Sequence, residues 1–414
     1  MRLKIYKETI FQILFVLCVS VPYFDNFELT FTIWLLTAFV SINKKYSVVF
    51  LKQVAFYTLI LLIAIVVQFF KDYSFYYIVR DITYLFKPIL GLLVGYQLLN
   101  RIGKNPFELV VKTGLIIALY HFLILIISVV VFRASNVNAI REYAGYFSDF
   151  EIYALIILIF RDELGIQFSR KKALIYLAII GASSFMYLAR TNFIQFFVLF
   201  FALKGYFKIN VRSVTILASL FFVAIIGYSA ILYINPKRNG VGFEAFLYKV
   251  KIAPIEPFKT KINREDYKDL NDNYRSYENI LTVREVTNDG PTAILVGKGA
   301  GSKIDIKSEM LLNGVLLRYI SILHNGFMTV FLKSGLLGVI LLILSFRMYF
   351  KGSKSKHPIV QQLDLILLGT GLYLILSNWV FMGYYFKADT KSILIGYLIC
   401  LRSNYINKEK KLLD

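Results

Sequence analysis

Long apolar runs alternate with short polar breaks along almost the whole chain. Twelve runs stand out: Ile10–Phe24, Phe27–Ile42, Val54–Phe70, Ile82–Leu99, Leu109–Phe132, Tyr146–Phe160, Ala173–Ala189, Asn192–Phe207, Ser213–Ile234, Asn325–Tyr349, Ile359–Phe381 and Ser392–Leu401. A helix crossing about 30 Å of hydrocarbon needs roughly 20 apolar residues. The pattern therefore predicts an all-α, polytopic integral membrane protein with about 12 transmembrane helices, the first, second and last being short. Arg2, Lys4 and Lys7 precede the first run, but no A-x-A cleavage pattern follows and more spans come after it, so it reads as an anchor. One interval breaks the rhythm: Asn235 to Leu323, 89 residues. The expected organisation is residues 1–234 with nine spans, 235–323 as one large exoplasmic loop, and 324–414 with three spans and a tail. Within the loop, Pro236, Gly240, Gly242, Pro254 and Pro257 predict an irregular first part, and Glu265–Glu285 reads as a charged surface helix or two. There is no internal repeat and no low-complexity tract, which weighs against a fold of two similar halves.

Composition agrees: 57% of residues are hydrophobic and only 18% charged, outside the range of soluble domains. The net charge of +21 would suggest nucleic acid in a soluble protein. Its distribution says otherwise. Short loops on the N-terminal side hold 23 Lys and Arg against 7 in the opposite short loops, and cytoplasmic loops carry that excess. Both termini are therefore expected in the cytoplasm, and the charge is a topology signal with no nucleic-acid partner implied. Cys18 and Cys400 lie in apolar runs at opposite ends, so no disulfide framework or cysteine metal site is read.

The strongest local motif is His324-Asn325, followed after nine residues by Gly335-Leu336-Leu337-Gly338. At 100° per residue Gly335 falls about 20° and Gly338 about 40° from His324, so a helix starting near Ser321 would put all three on one stripe. Small residues let a neighbouring helix approach, fixing the imidazole. The plain alternative is that His324 is a polar cap at the membrane interface. Arginines form the second signal. Arg190 sits in a polar break between two spans, Arg141 precedes Gly145-Tyr146, and Arg284 and Arg318 flank the glycine run Gly297-Lys298-Gly299-Ala300-Gly301. Guanidiniums pair phosphate oxygens in a planar, bidentate way, so a convergence at one membrane surface would suit a lipid-linked diphosphate. Taken singly, each arginine is better explained by snorkelling to headgroups; the group together with His324 is not. Lys333 lies opposite the His324 stripe, and could be functional or could neutralise an acid on another helix.

Together these residues resemble the O-antigen ligase and O-antigen polymerase superfamily of bacterial envelopes. The match is H-[N/S/Q]-x9-G-x-x-G at His324-Asn325, Gly335 and Gly338, preceded by an Arg and a G-x-G element, to which Arg284 and Gly297–Gly301 are similar. The polar break at Arg190 and Arg141 ahead of Gly145-Tyr146 are similar too. The resemblance spans roughly residues 133–350; the first four spans contribute only hydropathy. It implies a metal-independent, cofactor-free glycosyl transfer from an undecaprenyl-diphosphate-linked donor to a glycan acceptor, at the exoplasmic face of the bacterial inner membrane. Implied roles are His324 as general base, Arg190 and Arg284 on the diphosphate, Arg141, Arg318 and Asn325 in substrate binding, and Gly297, Gly299, Gly335 and Gly338 as structural motif. An imidazole, with an unperturbed pKa of about 6.5, suits proton removal from a sugar hydroxyl. Membrane lipid, a chain-length regulator and other envelope-synthesis proteins are the remaining candidate partners.

The first reading is thus a polymerase of lipid-linked repeat units in O-antigen, lipopolysaccharide or capsular polysaccharide biosynthesis. A ligase moving finished glycan to lipid A core or protein uses the same motif. A flippase or other transporter is the alternative from another class, although the polar residues gather at one face rather than at the midplane. A non-catalytic scaffold would leave the histidine and arginines unexplained.

Overall fold

The computed structural model describes residues 2–413 except 104, 135–136, 146–147, 188, 209–210, 241–242, 257–258, 264 and 313–314. The N-terminal helices are α1 (Arg2–Ser20), α2 (Phe27–Val40), α3 (Val48–Gln68), α4 (Phe75–Arg101) and α5 (Pro106–Val130). They are followed by α6 (Val137–Ala144), α7 (Asp149–Ile159), α8 (Arg170–Met186), α9 (Arg190–Leu203) and α10 (Val211–Ile234). Side-chain oxygens of Ser47, Ser148 and Ser169 cap α3, α7 and α8 by accepting first-turn N–H groups. Among the described residues, seven helices are long and apolar enough to cross a membrane: Lys7–Phe24, Val48–Gln68, Phe75–Arg101, Pro106–Val130, Val211–Ile234, Gly326–Arg347 and Pro358–Val380. Large apolar side chains such as Val66, Leu123 and Phe222 stay exposed on the outer faces, as a bilayer would solvate them.

All twelve apolar runs fall on helices, but five do not meet that criterion. With 14, 11, 17 and 14 residues, α2, α7, α8 and α9 reach only about 16–26 Å at 1.5 Å per residue. Tyr146, expected to open the sixth run, lies outside the described residues. The last run belongs to a much longer helix, α17 (Lys391–Leu413), which is not peripheral: Ile393 to Leu398 are fully buried apart from the glycine's missing side chain. It crosses α4 through small residues. A Cβ on Gly95 would stand 2.9 Å from the Tyr397 amide nitrogen, and one on Gly396 2.9 Å from the Leu92 Cα.

The long loop is more ordered than its sequence suggests. Its first part, expected to be irregular, holds α11 (Phe243–Ile252); Gly242 and Pro257 lie outside the described residues. The charged stretch forms α12 (Tyr267–Asp272) and α13 (Tyr274–Asn288), then a short α14 (Pro291–Val296). The all-α expectation fails locally, because β1 (Ile304–Leu312) and β2 (Val315–Ile320) pair as an antiparallel hairpin. Alternating residues such as Ile304 and Ile306 bury one face against α13, whose Tyr277 hydroxyl donates to the Ile306 carbonyl at 2.7 Å. The chain re-enters the bundle as α15 (Gly326–Arg347) and α16 (Pro358–Val380).

The glycine run is a strut between loop and bundle. Gly297, Gly299 and Gly301 all have φ between 80° and 89°, where only glycine is at ease. Gly335 (φ 62°, ψ −160°) breaks α15, and the Leu332 and Lys333 carbonyls accept N–H groups of Lys298 (2.8 Å) and Gly299 (3.1 Å). Backbone freed inside an apolar helix bundle must be satisfied by protein. The next two residues continue the strut, with Ala300 N–H donating to the Ala64 carbonyl at 2.9 Å and Gly301 N–H to Asp81 Oδ2 at 2.7 Å. Lys333, whose role the sequence left open, pairs with Asp81 at 2.5 Å, both side chains fully buried.

Candidate functional site

His324 stands just outside α15 rather than on it. Asn325 is the cap: its Oδ1 accepts the N–H of Phe327 at 2.9 Å and of Met328 at 3.2 Å. The single stripe of His324, Gly335 and Gly338 therefore does not exist, since the helix starts after the histidine and breaks at Gly335. The glycines act instead through the strut. Asn325, expected to touch substrate, is a buried cap with 1% exposure.

What holds the imidazole is an acid that the sequence reading missed. His324 Nδ1 lies 3.1 Å from both carboxylate oxygens of Glu278, and the His324 backbone N–H donates to Glu278 Oε2 at 3.0 Å. An ionised carboxylate can only accept, so Nδ1 carries a proton, and in the neutral ring Nε2 is left with the lone pair. Glu278 is 1% exposed and the His324 side chain 37%, which places the acid behind and the ring at the surface. Tyr274 closes one side, its ring edge-to-face with the imidazole at 5.7 Å. Burial first, then the Glu278 charge, push the Tyr274 hydroxyl well above the usual tyrosine range, so it stays neutral. Below, the His324 carbonyl accepts the Met382 N–H at 2.8 Å.

The imidazole faces a cavity of about 240 Å³ that collects cations from three directions. Arg190 enters from the first turn of α9, Lys249 from α11 and Arg275 from α13. The roof, α11, is tied to α10 through the Tyr228 hydroxyl, which donates to the Lys251 carbonyl at 2.8 Å. Glu256 and Asp272 also line the cavity, but each is engaged: Glu256 with Arg275 at 3.5 Å, Asp272 with Arg238 at 2.9 Å. Around Arg190 the guanidiniums of Arg275 and Arg141 and the carboxylate of Glu256 are all in electrostatic range. Two like charges to one opposite is an arrangement completed by an anion.

Of the arginines singled out, the structure brings Arg190 to His324 and Arg141 near Arg190. Tyr146, its expected companion, lies outside the described residues. It does not bring Arg284 or Arg318. Arg284 is exposed on α13, about 120° round the helix from Glu278 and outside the cavity. Arg318 is on the hairpin, bound to Asp305 at 3.0 Å and 3.1 Å; that guanidinium holds the Asp305 carboxyl well below the usual range. Arg275 occupies the place expected of Arg284. A signal for Glu278 was present: Tyr274, Tyr277, Leu281 and Thr282 make the buried stripe of α13, with the glutamate inside it.

Compared with protein-family models, curated proteins and solved structures, the chain matches none.

Proposed function

We propose that this chain is a membrane glycosyltransferase that lengthens a glycan on a lipid diphosphate carrier, as a polymerase of undecaprenyl-diphosphate-linked repeat units. The observation that carries the reading is the oriented His324–Glu278 pair opening onto a cavity with Arg190 and Arg275. In the proposed step, an acceptor sugar hydroxyl attacks the anomeric carbon of the donor. The new C–O bond forms as the bond to the diphosphate breaks, and the electron pair leaves on the carrier diphosphate. His324 Nε2 takes the hydroxyl proton as general base. Glu278 keeps the proton on Nδ1 and faces the positive charge that develops on the ring. Arg190 and Arg275 neutralise the departing diphosphate. A single displacement inverts the anomeric centre.

On this reading all twelve apolar helices are embedded in the inner membrane, both termini are cytoplasmic and the cavity opens at the exoplasmic face. The short helices then end in polar breaks such as Arg190 rather than reaching both surfaces. The test is reconstitution of purified protein with lipid-linked repeat units. A ladder of products is expected, and His324→Ala is expected to lose about 10²–10⁴-fold in rate, the usual worth of a positioned base. Undiminished extension by that variant would remove the base. Transfer of one finished glycan to lipid A core would identify a ligase, and movement across the bilayer without a new glycosidic bond a transporter.

A further inference from the structure

A second cavity, of about 380 Å³, lies where the end of α4, the start of α5 and the last turns of α17 meet. Asp81, beside the strut, and Leu99, on the wall of this cavity, are eighteen residues apart on α4. That is about 27 Å of helix, close to one hydrocarbon thickness. The cavity is thus at the opposite face of the bundle from His324.

Its lining has two halves. Ile102, Pro106 and Leu401 give one apolar wall; Asn404, Lys408 and Lys411 give a polar one. Both lysines are exposed, on successive turns of α17. Pro106 opens α5, and Asn105 before it makes no side-chain cap, so first-turn amides lack that partner and add positive potential. Of the nearby acids, Glu108 is engaged by Lys112 at 3.2 Å, and the Glu8 carboxylate lies at the rim beside Gly103. Two ammonium groups and a helix N-terminus against one acid favour an anion. An apolar wall alongside favours an anion that carries hydrocarbon.

We propose that this cavity is a binding site for an anionic phospholipid, with the headgroup phosphate on Lys408 and Lys411 and the glycerol and upper acyl chain on Ile102, Pro106 and Leu401. Basic pockets between membrane helices on the cytoplasmic side bind acidic headgroups by this combination. The inference is independent of glycan transfer and needs only that the bundle sits in a bilayer.

The test uses the full chain in detergent, titrated with dioleoyl phosphatidylglycerol, dioleoyl phosphatidylcholine or soluble glycerol 1-phosphate and read by native mass spectrometry. Phosphatidylglycerol is expected to be retained over phosphatidylcholine. Replacing both lysines (Lys408→Gln with Lys411→Gln) is expected to weaken it about 25-fold, at about fivefold per lysine near a membrane surface. Because both side chains are exposed, the fold is kept, and unchanged phosphatidylcholine binding checks this. The control replaces Lys354 and Lys356, exposed at the same end but outside the cavity, and is expected to leave retention unchanged. Equal retention of the two lipids, an equal loss in the control, or displacement by glycerol 1-phosphate at matching concentration would each overturn the proposal.

Discussion

Replacing either member of the Asp81–Lys333 pair should destabilise the protein far more than replacing both. Both side chains are fully buried, with Nζ 2.5 Å from Oδ2. Lys333 also donates to Ser302, through its carbonyl and through Oγ at 3.2 Å. Asp81→Asn keeps an acceptor for the Gly301 N–H but leaves an ammonium without its counter-charge. Lys333→Met leaves a carboxylate supported by Gly301 N–H and, at 3.6 Å, by Arg80. Breaking a buried pair from one side costs about 3–5 kcal/mol, two to four orders of magnitude in the folding equilibrium. The double variant strands no charge and keeps the volume, so its cost should be about 1 kcal/mol, giving a coupling of several kcal/mol in the cycle. The assay is equilibrium unfolding in mixed dodecyl sulfate and maltoside micelles followed by circular dichroism, with hydrogen exchange at residues 297–301 reporting the strut. Single variants costing under about 1 kcal/mol, or a double variant equal to their sum, would refute the argument.

Three other outcomes follow from the same geometry. Arg275→Ala should reduce transfer by about 10²-fold or more while Arg284→Ala changes it less than about threefold, measured as kcat/KM on lipid-linked donor; equal effects would misplace the anion site. Gly335→Ala should cost about 2 kcal/mol or more in the same unfolding assay, because φ is 62° and a Cβ would press on the Leu295 carbonyl and the Gly297 nitrogen. The Asp305 carboxyl is held low by Arg318, so its contribution is present above the ordinary aspartate value near 4 and lost as pH falls through the depressed one. The stability gap between wild type and Arg318→Ala should therefore be constant from pH 8 to 5 and close only in stronger acid; a gap that closes near pH 6 would point to a different partner.

Much of the bundle was legible because membrane burial writes itself into local sequence: a helix in hydrocarbon must be apolar over most of its length, so α3, α4, α5, α10, α15 and α16 appear as runs. Chemistry-bearing residue types were legible too. His324 and Arg190 were singled out, and the structure puts them on one cavity. Partners were not. Arg284 and Arg275 look alike in sequence, and helical phase decides between them: Arg275 is about 60° from Glu278 and Arg284 about 120°. The stripe through His324 failed because one glycine at φ 62° resets the phase.

By itself the sequence determined that this is a helical membrane protein with a large polar insertion before its last helices, since hydropathy and charge are additive along a chain. Only the tertiary structure decided that Glu278 stands behind His324, that Asp81 neutralises Lys333, and that the glycine run is a strut rather than a ligand loop. These are contacts between residues tens to hundreds of positions apart. Their energy depends on distance and burial in space, which no local pattern encodes.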